Sequence, residues 1–424
     1  MSQETLRLWF LKGEKMIPTF ADIQKAQALL QGVILKTPTL YSPTISRLFN
    51  TKVFLKLESF QETGSFKERG AYVRLKGLSS QEKRQGVIAA SKGNHAQAVA
   101  FHAQALHIPA TIVMPVNTPP TKVGHTEEWG ARIVLAGKTF EEASSVAQEI
   151  ARKEKLTLIH PYDDPELVAG QGTIAIEMLE DHPELDVLIV PIGGGGLCAG
   201  VALAAKSLKP SLQVYGVEVK GYASMSQALY KTKDKRESES TLADGIAVKH
   251  PGKLPQEILK SLLQGIEIVT EEEIEHAVDI LARKANLVVE GAGAAGIAAL
   301  LHNSAPFKGK NVGIIITGGN IDGRILSSLM VRGQLREGSL TLLRLDVEDV
   351  PGVLEKIAGA IARHQGNILE VKHQRLLYEI PIKMAEIEIM LETRGKSHLE
   401  RITRELKSLG FTAHISSNAD ADLL

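Results

Sequence analysis

Lys67 stands in the run Gly64-Ser65-Phe66-Lys67-Glu68-Arg69-Gly70. The run before it, Lys52 to Glu58, alternates as a strand does, and Ala71 to Leu78 after it reads as a helix. Thr63 or Ser65 is the expected cap of that helix, which puts Lys67 in its first turn. An ammonium there opposes the positive end of the helix dipole, so its pKa falls. A neutral amine can act as a nucleophile or a base. A solvated surface lysine explains the same segment, because most lysines are exposed. Other residues must separate the two readings.

Gly193-Gly194-Gly195-Gly196-Leu197 follows the apolar run Val187 to Val190 and opens a helical stretch from Cys198 to Ser207. Consecutive glycines let a backbone approach an anion closely, and the helix N-terminus adds converging N–H groups. A tight turn needs only one or two glycines, and each further one costs folding entropy. A phosphate is therefore the expected guest. Gly194 to Ala199 also satisfies G-x-G-x-x-A, with Glu218 ending the next strand where a dinucleotide fold places its ribose acid. A nicotinamide-dependent oxidoreductase stays open on that account. A P-loop does not, since no Gly-Lys-Ser or Gly-Lys-Thr follows.

Ser91-Lys92-Gly93-Asn94-His95 lies between a strand at Val87 and a helix from Ala96 to Ala105. Such a helix start can take a carboxylate, with Asn94 offering donors and an acceptor. It can equally be a plain cap with Asn94 as the capping residue. His95 reads as structural. Thr317-Gly318-Gly319-Asn320 puts a hydroxyl at the carboxyl end of a strand, where α/β folds bind ligands. Pro161 to Asp164, Gly170-Gln171-Gly172-Thr173 and Thr241 to Gly245 read as loops, and Glu290 to Ala294 as a glycine-bearing turn before a helix.

The elements that must position these groups alternate. Short β-rich runs at Val87, Ala110 to Met114, Ala131 to Leu135, Val187 to Val190, Gln213 to Val217 and Val312 to Ile316 are separated by helical stretches such as Glu141 to Lys153 and Glu271 to Asn286. Apolar strands flanked by helices indicate parallel sheets covered on both faces. The alternation runs to about Arg332, too far for one sheet, so two α/β subdomains with a cleft are expected. After a polar linker at 333–339 the pattern becomes β-α-β-β-α-β, with strands at Leu340 to Val347, Ile368 to Leu377, Met384 to Glu392 and Phe411 to Ser416, and helices from Val353 to His364 and Ser397 to Leu409. The tail from Asn418 reads as frayed.

Composition narrows the partners. The 424 residues are 44% hydrophobic and 23% charged, ordinary for a soluble globular protein. The 49 basic and 49 acidic side chains balance, which argues against nucleic acid or an anionic membrane as the main partner. Cys198 is the only cysteine, so there is no internal disulfide, and a reducing cytoplasm fits. Met1 to Met16 carries charges on both sides of a short apolar stretch, which is neither a signal peptide nor a span.

Taken in order, Ser65 to Ala71, Gly93 to Gln97, Gly170 to Thr173, the glycine loop and Gly318 to Asn320 resemble the threonine dehydratase and serine dehydratase group of pyridoxal-phosphate enzymes, of the tryptophan-synthase-β fold type. The resemblance covers roughly residues 17–332, with a small subdomain at about 52–157 inserted in a larger one. It implies pyridoxal 5′-phosphate as cofactor and Lys67 as its Schiff-base lysine. Phe66 would pack against the ring, Asn94 bond the ring hydroxyl, Gly193 to Leu197 hold the phosphate and Thr317 face the ring nitrogen. Ser91 with the backbone of Gly93, Asn94 and His95 would take the substrate carboxylate. Lys67, freed by the incoming amino acid, would remove the α-proton. Loss of the β-hydroxyl and hydrolysis then give ammonia and a 2-oxo acid.

The implied activity is an L-threonine ammonia-lyase that also accepts L-serine. A serine racemase or hydroxyaspartate dehydratase shares the motifs. Lys92 replaces the small residue expected before Gly93, where related racemases place a serine base. Glu218 to Ser224 lacks the second acid of the family's cation site, and no metal is assigned. Residues 340–424 resemble an ACT regulatory domain through Asp349-Val350-Pro351-Gly352-Val353-Leu354 and Gly366-Asn367-Ile368. That implies an α+β ferredoxin-like module, an amino-acid effector and a homodimer or homotetramer. A catalytically inactive amino-acid sensor is a further reading.

Overall fold

The computed structural model describes residues 17–232, 240–375 and 383–415. The readings of Met1 to Met16, of a strand reaching Leu377, of Ser416 and of the tail from Asn418 fall outside these residues. The strands are β1 (Thr39–Tyr41), β2 (Lys52–Leu57), β3 (Val87–Ala90), β4 (Ala110–Met114), β5 (Arg132–Leu135), β6 (Thr157–Leu158), β7 (Val187–Pro191), β8 (Gln213–Val219), β9 (Gly265–Val269), β10 (Asn311–Ile316), β11 (Leu340–Glu348), β12 (Asn367–Gln374), β13 (Met384–Glu392) and β14 (Ala413–Ile415).

The chain divides into two compact units, Met1–Ile321 and Asp322–Leu424. The first holds two sheets. One has six strands in the order β1-β2-β10-β7-β8-β9, the other four in the order β5-β4-β3-β6. All pairings are parallel except β1 with β2. Strands β3 and β7 are buried along their whole length, as apolar strands covered on both faces must be. The inserted subdomain starts later than Lys52. Strand β2 pairs with β10 over Lys52↔Asn311 to Leu57↔Ile316, so it belongs to the large sheet. Its own alternation could not reveal which sheet would accept it.

Gly170 to Thr173 is not a loop but the interior of the helix Pro165–Asp181, capped by Asp164. Its glycines serve packing. A Cβ on Gly170 would lie 2.8 Å from the Arg69 carbonyl oxygen, and one on Gly172 would lie 2.8 Å from that of Gly200. The helices Lys67–Lys76 and Gly196–Leu208 therefore approach Pro165–Asp181 backbone to backbone.

The second unit carries an antiparallel sheet in the order β12-β13-β11-β14, with helices Val353–Arg363 and Lys396–Ser408. This is the expected split β-α-β-β-α-β arrangement. Its core includes Leu343, Leu345, Ile357, Ile361, Ile387, Ile389, Ile402 and Leu406. Residues 333–339 are mostly not an irregular linker. They end the helix Gly323–Glu337, which Asp322 caps and Gly338 terminates at φ +72°. One glycine marks that helix end, and the other, Gly333, is buried inside the helix. No described helix is long and apolar enough to cross a membrane.

Candidate functional site

Lys67 is the first residue of the helix Lys67–Lys76, whose cap is Phe66 without a side-chain bond. Neither Thr63 nor Ser65 caps it. Ser65 is held extended by an antiparallel bridge to Gly318, and the Phe66 N–H donates to the Thr317 carbonyl oxygen at 3.1 Å. Gly64, at φ +70°, makes the turn that allows this, and its carbonyl oxygen accepts from Gly319 N–H at 3.0 Å. The segment before Lys67 is thus stitched to the end of β10, and Thr317 lies beside Phe66.

The Lys67 amine lies 5.1 Å from the centroid of the Phe66 ring and donates to the Pro161 carbonyl oxygen at 2.9 Å. Burial lowers its pKa to about 8 against the opposing pull of Glu290. Desolvation disfavours the ammonium, so the neutral amine is far more abundant near neutral pH than for an ordinary lysine.

The glycine loop has Gly195 at φ +93°. A Cβ on Gly194 would fall 2.1 Å from the Tyr162 ring, and one on Gly196 would fall 2.7 Å from the Tyr162 carbonyl oxygen. Tyr162 is itself held, donating from its hydroxyl to the His250 carbonyl oxygen at 3.0 Å. The connector Pro161-Tyr162 therefore touches the Lys67 amine with one residue and the glycine cradle with the next.

Gly93, not Asn94, caps the helix Asn94–Ala105, and a Cβ there would meet open space. The first N–H groups of such a helix lack intrahelical acceptors, so this notch suits a carboxylate. Ser91 is half-buried beside it and accepts from the Gly93 N–H at 3.2 Å. Asn94 spends its side chain elsewhere. Its Nδ2 donates to Glu290 Oε1 and its Oδ1 accepts from Asn320 Nδ2, both at 2.8 Å. His95 is structural, with buried Nε2 donating to the Ile159 carbonyl oxygen at 3.1 Å. Burial and nearby Lys67 push its pKa down to about 3, so the ring is neutral.

Glu290 was legible only as part of a turn. It is 6% exposed, and burial with nearby Asp244 raises its pKa to about 7. The only hint in the sequence is an acid inside a glycine- and alanine-rich stretch, which says nothing of Asn94, 196 positions earlier.

Residues fit for the implied cofactor are present. The Thr317 hydroxyl is buried with no hydrogen-bond partner among the described residues, as is that of Ser65. An unmet buried hydroxyl costs about 1–3 kcal/mol. A ring nitrogen near Thr317 would satisfy it, and the glycine cradle suits a phosphate. Glu218 does not suit a ribose. It is fully buried and accepts from the N–H groups of Met225 and Ser226 at 2.7 and 2.9 Å. The dinucleotide reading of the glycine loop loses its acid to that contact.

Fold and site together define a two-sheet α/β enzyme built around a part-buried lysine amine and an anion cradle. A family model described as pyridoxal-phosphate dependent enzyme matches residues 30–318, and the ACT domain model matches 341–411. An L-threonine ammonia-lyase of Thermotoga maritima is 43% identical over 398 residues, spanning 94% of this chain and 99% of that protein. Among solved structures, maize serine racemase matches with a TM-score of 0.70 and 34% identity, over 76% of this chain and all of that one. The processed threonine deaminase isoform 2 of Solanum lycopersicum matches with a TM-score of 0.69 and 34% identity, over 75% of this chain and 96% of that one. The chain belongs to the pyridoxal-phosphate-dependent enzyme family and carries a C-terminal ACT domain. Neither oxidoreductase chemistry nor the dinucleotide fingerprint survives that assignment.

Proposed function

We propose that this chain is an L-threonine ammonia-lyase that forms 2-oxobutanoate and ammonia and also accepts L-serine. The observation that carries the reading is the connector Pro161-Tyr162. It brings the Lys67 amine, its pKa lowered by burial, beside the glycine cradle, the arrangement a phosphate-anchored aldehyde requires. The 43% identity to the Thermotoga maritima lyase extends over both units, against 34% for the matched serine racemase, and that higher identity favours the lyase.

Each residue then has a task. The N–H groups of Gly193 to Leu197 would hold the cofactor phosphate, and Phe66 would lie against the ring. The Thr317 hydroxyl would serve the ring nitrogen, and Asn94 the ring oxygen. Ser91 and the backbone of Gly93, Asn94 and His95 would bind the substrate carboxylate. Lys67 would carry the cofactor and, once displaced by the substrate, take the α-proton on its Nζ. The cofactor supplies an electron sink that makes this proton removable. A hydroxyl at Thr317, unlike a carboxylate, would leave the ring nitrogen unprotonated and so favour loss of the β-hydroxyl over transamination.

The catalytic domain is assigned to residues 17–321 rather than 17–332, because the helix Gly323–Glu337 belongs to the second unit, with the inserted subdomain beginning after Leu57 and the ACT-like module at 340–424. The module binds an amino-acid effector, and the protein works as a homodimer or homotetramer. Lys92, at the position of a racemase base, is exposed.

The test is a 2-oxo acid assay of the reconstituted protein with threonine, serine and 3-hydroxyaspartate, alongside Lys67→Ala. Fastest release from threonine, lost in the variant, supports the reading. Formation of D-serine without 2-oxo acid, or no cofactor uptake at all, overturns it.

A further inference from the structure

A chain of hydrogen bonds with fixed polarity runs through Asn94. Asn320 Nδ2 donates to the Thr63 carbonyl oxygen at 2.8 Å. A backbone carbonyl only accepts, so the orientation of the Asn320 amide is settled. The same Nδ2 donates to Asn94 Oδ1 at 2.8 Å, which settles the Asn94 amide in turn. Asn94 Nδ2 then donates to Glu290 Oε1 at 2.8 Å. The Asn94 carbonyl is consumed by Asn320, and one Nδ2 hydrogen remains for a ligand. Backbone contacts hold both ends. Glu290 N–H donates to the Gly318 carbonyl oxygen at 3.1 Å, and a Cβ on Gly64 would sit 2.5 Å from Asn320 Oδ1.

We infer that Glu290 is a positioning residue for the cofactor: with Asn320 on the carbonyl side it holds the Asn94 amide in place, so that the remaining Nδ2 hydrogen is presented to the ring oxygen, and its carboxylate sets the charge beside that oxygen. The inference rests on the cofactor assignment proposed above.

Protonation of Glu290 removes a negative charge from beside the ring oxygen and leaves Asn94 a stronger donor to it, so the deprotonated oxygen becomes easier to hold and the cofactor bands shift. The charged groups that face Glu290 set where this happens. Burial and Asp244 raise its pKa, to about 7, while Lys122 and Lys67 oppose the rise. Lys122 acts from beside Asp244, its Nζ 2.8 Å from Asp244 Oδ2.

The experiment is a pH titration of the absorption bands of the bound cofactor, without substrate, in wild type, Glu290→Gln and Lys122→Ala. Glutamine keeps an acceptor for Asn94 but cannot titrate. The expected result is a band-ratio step near neutral pH in wild type that is lost in Glu290→Gln. In Lys122→Ala, Asp244 is left unbalanced and the step moves to higher pH. Should Glu290→Gln fold poorly, the Lys122→Ala arm still decides, because Glu290 is intact there. A wild-type step unchanged in both variants, or no step in wild type, overturns the inference while leaving the cofactor assignment standing. Failure of wild type to take up pyridoxal phosphate would instead strike the assignment itself.

Discussion

Arg69 and Glu177 grip each other bidentately inside the protein, Nη1 to Oε1 at 2.7 Å and Nη2 to Oε2 at 2.8 Å. The pairing joins the helix of Lys67 to the helix Pro165–Asp181. The same guanidinium takes Glu58 through Nε at 2.8 Å and Nη2 at 2.7 Å, and Lys56 Nζ reaches Glu177 at 2.6 Å. Two cations and two carboxylates thus neutralise one another two residues from Lys67. Burial alone would raise the Glu58 pKa, but the Arg69 charge and hydrogen bonds hold it below the usual carboxylate range.

Removing one member leaves an uncompensated buried charge. Glu177→Gln is expected to destabilise the fold by about 3–5 kcal/mol, the range for breaking a buried pair. Denaturant unfolding measures it. A loss of under about 1 kcal/mol, typical of exposed pairs, would show that the quartet is not structural.

The Tyr162 ring closes the glycine cradle at contact distance. Gly194→Ala forces its Cβ into that ring, 2.1 Å from the nearest carbon. Overpacking of this kind costs about 1–3 kcal/mol. Because Tyr162 is tied to His250, the loop rather than the ring is expected to give way. Cofactor affinity should fall at least tenfold, read by titrating the apo-protein with pyridoxal phosphate. Unchanged affinity would remove the loop from the phosphate site.

An amine attacks an aldehyde only in its neutral form, and the proposed role of Lys67 depends on it. With its pKa lowered to about 8 by burial, the neutral fraction grows as pH rises through that value. The rate of covalent attachment of pyridoxal phosphate to apo-protein should therefore rise with pH and level off above about 8. An ordinary surface lysine would keep accelerating toward pH 10 or so, its unperturbed range. Stopped-flow absorbance at a series of pH values distinguishes the two curves.

The Thr317 hydroxyl is buried and unpaired among the described residues. Thr317→Asp would put a carboxylate there and hold a proton on a ring nitrogen facing it. The cofactor spectrum should shift, and the ratio of elimination to transamination should fall. Identical spectra and product ratios in the variant would place the ring nitrogen elsewhere.

Much of this protein was legible in its residues alone. Apolar runs such as Val187 to Val190 and Val312 to Ile316 could only be buried strands, because each lacks a polar face. The four glycines from Gly193, the Ser65 to Ala71 run and the β-α-β-β-α-β order after Leu340 are local signals, written in consecutive residues. They were enough for the family and for the ACT module. Periodicity does not name partners. That Lys52 to Leu57 joins the large sheet, that Phe66 rather than Thr63 or Ser65 caps the lysine helix, and that Gly170 to Thr173 lies within a helix depended on what each segment met after folding. Asn94 shows the limit most plainly. From the sequence it was a cap or a ligand, yet its amide is oriented by Asn320 and Glu290, 226 and 196 positions away. A buried polar group must find a hydrogen bond, but any complementary group will serve, so only the tertiary structure decides which one it finds.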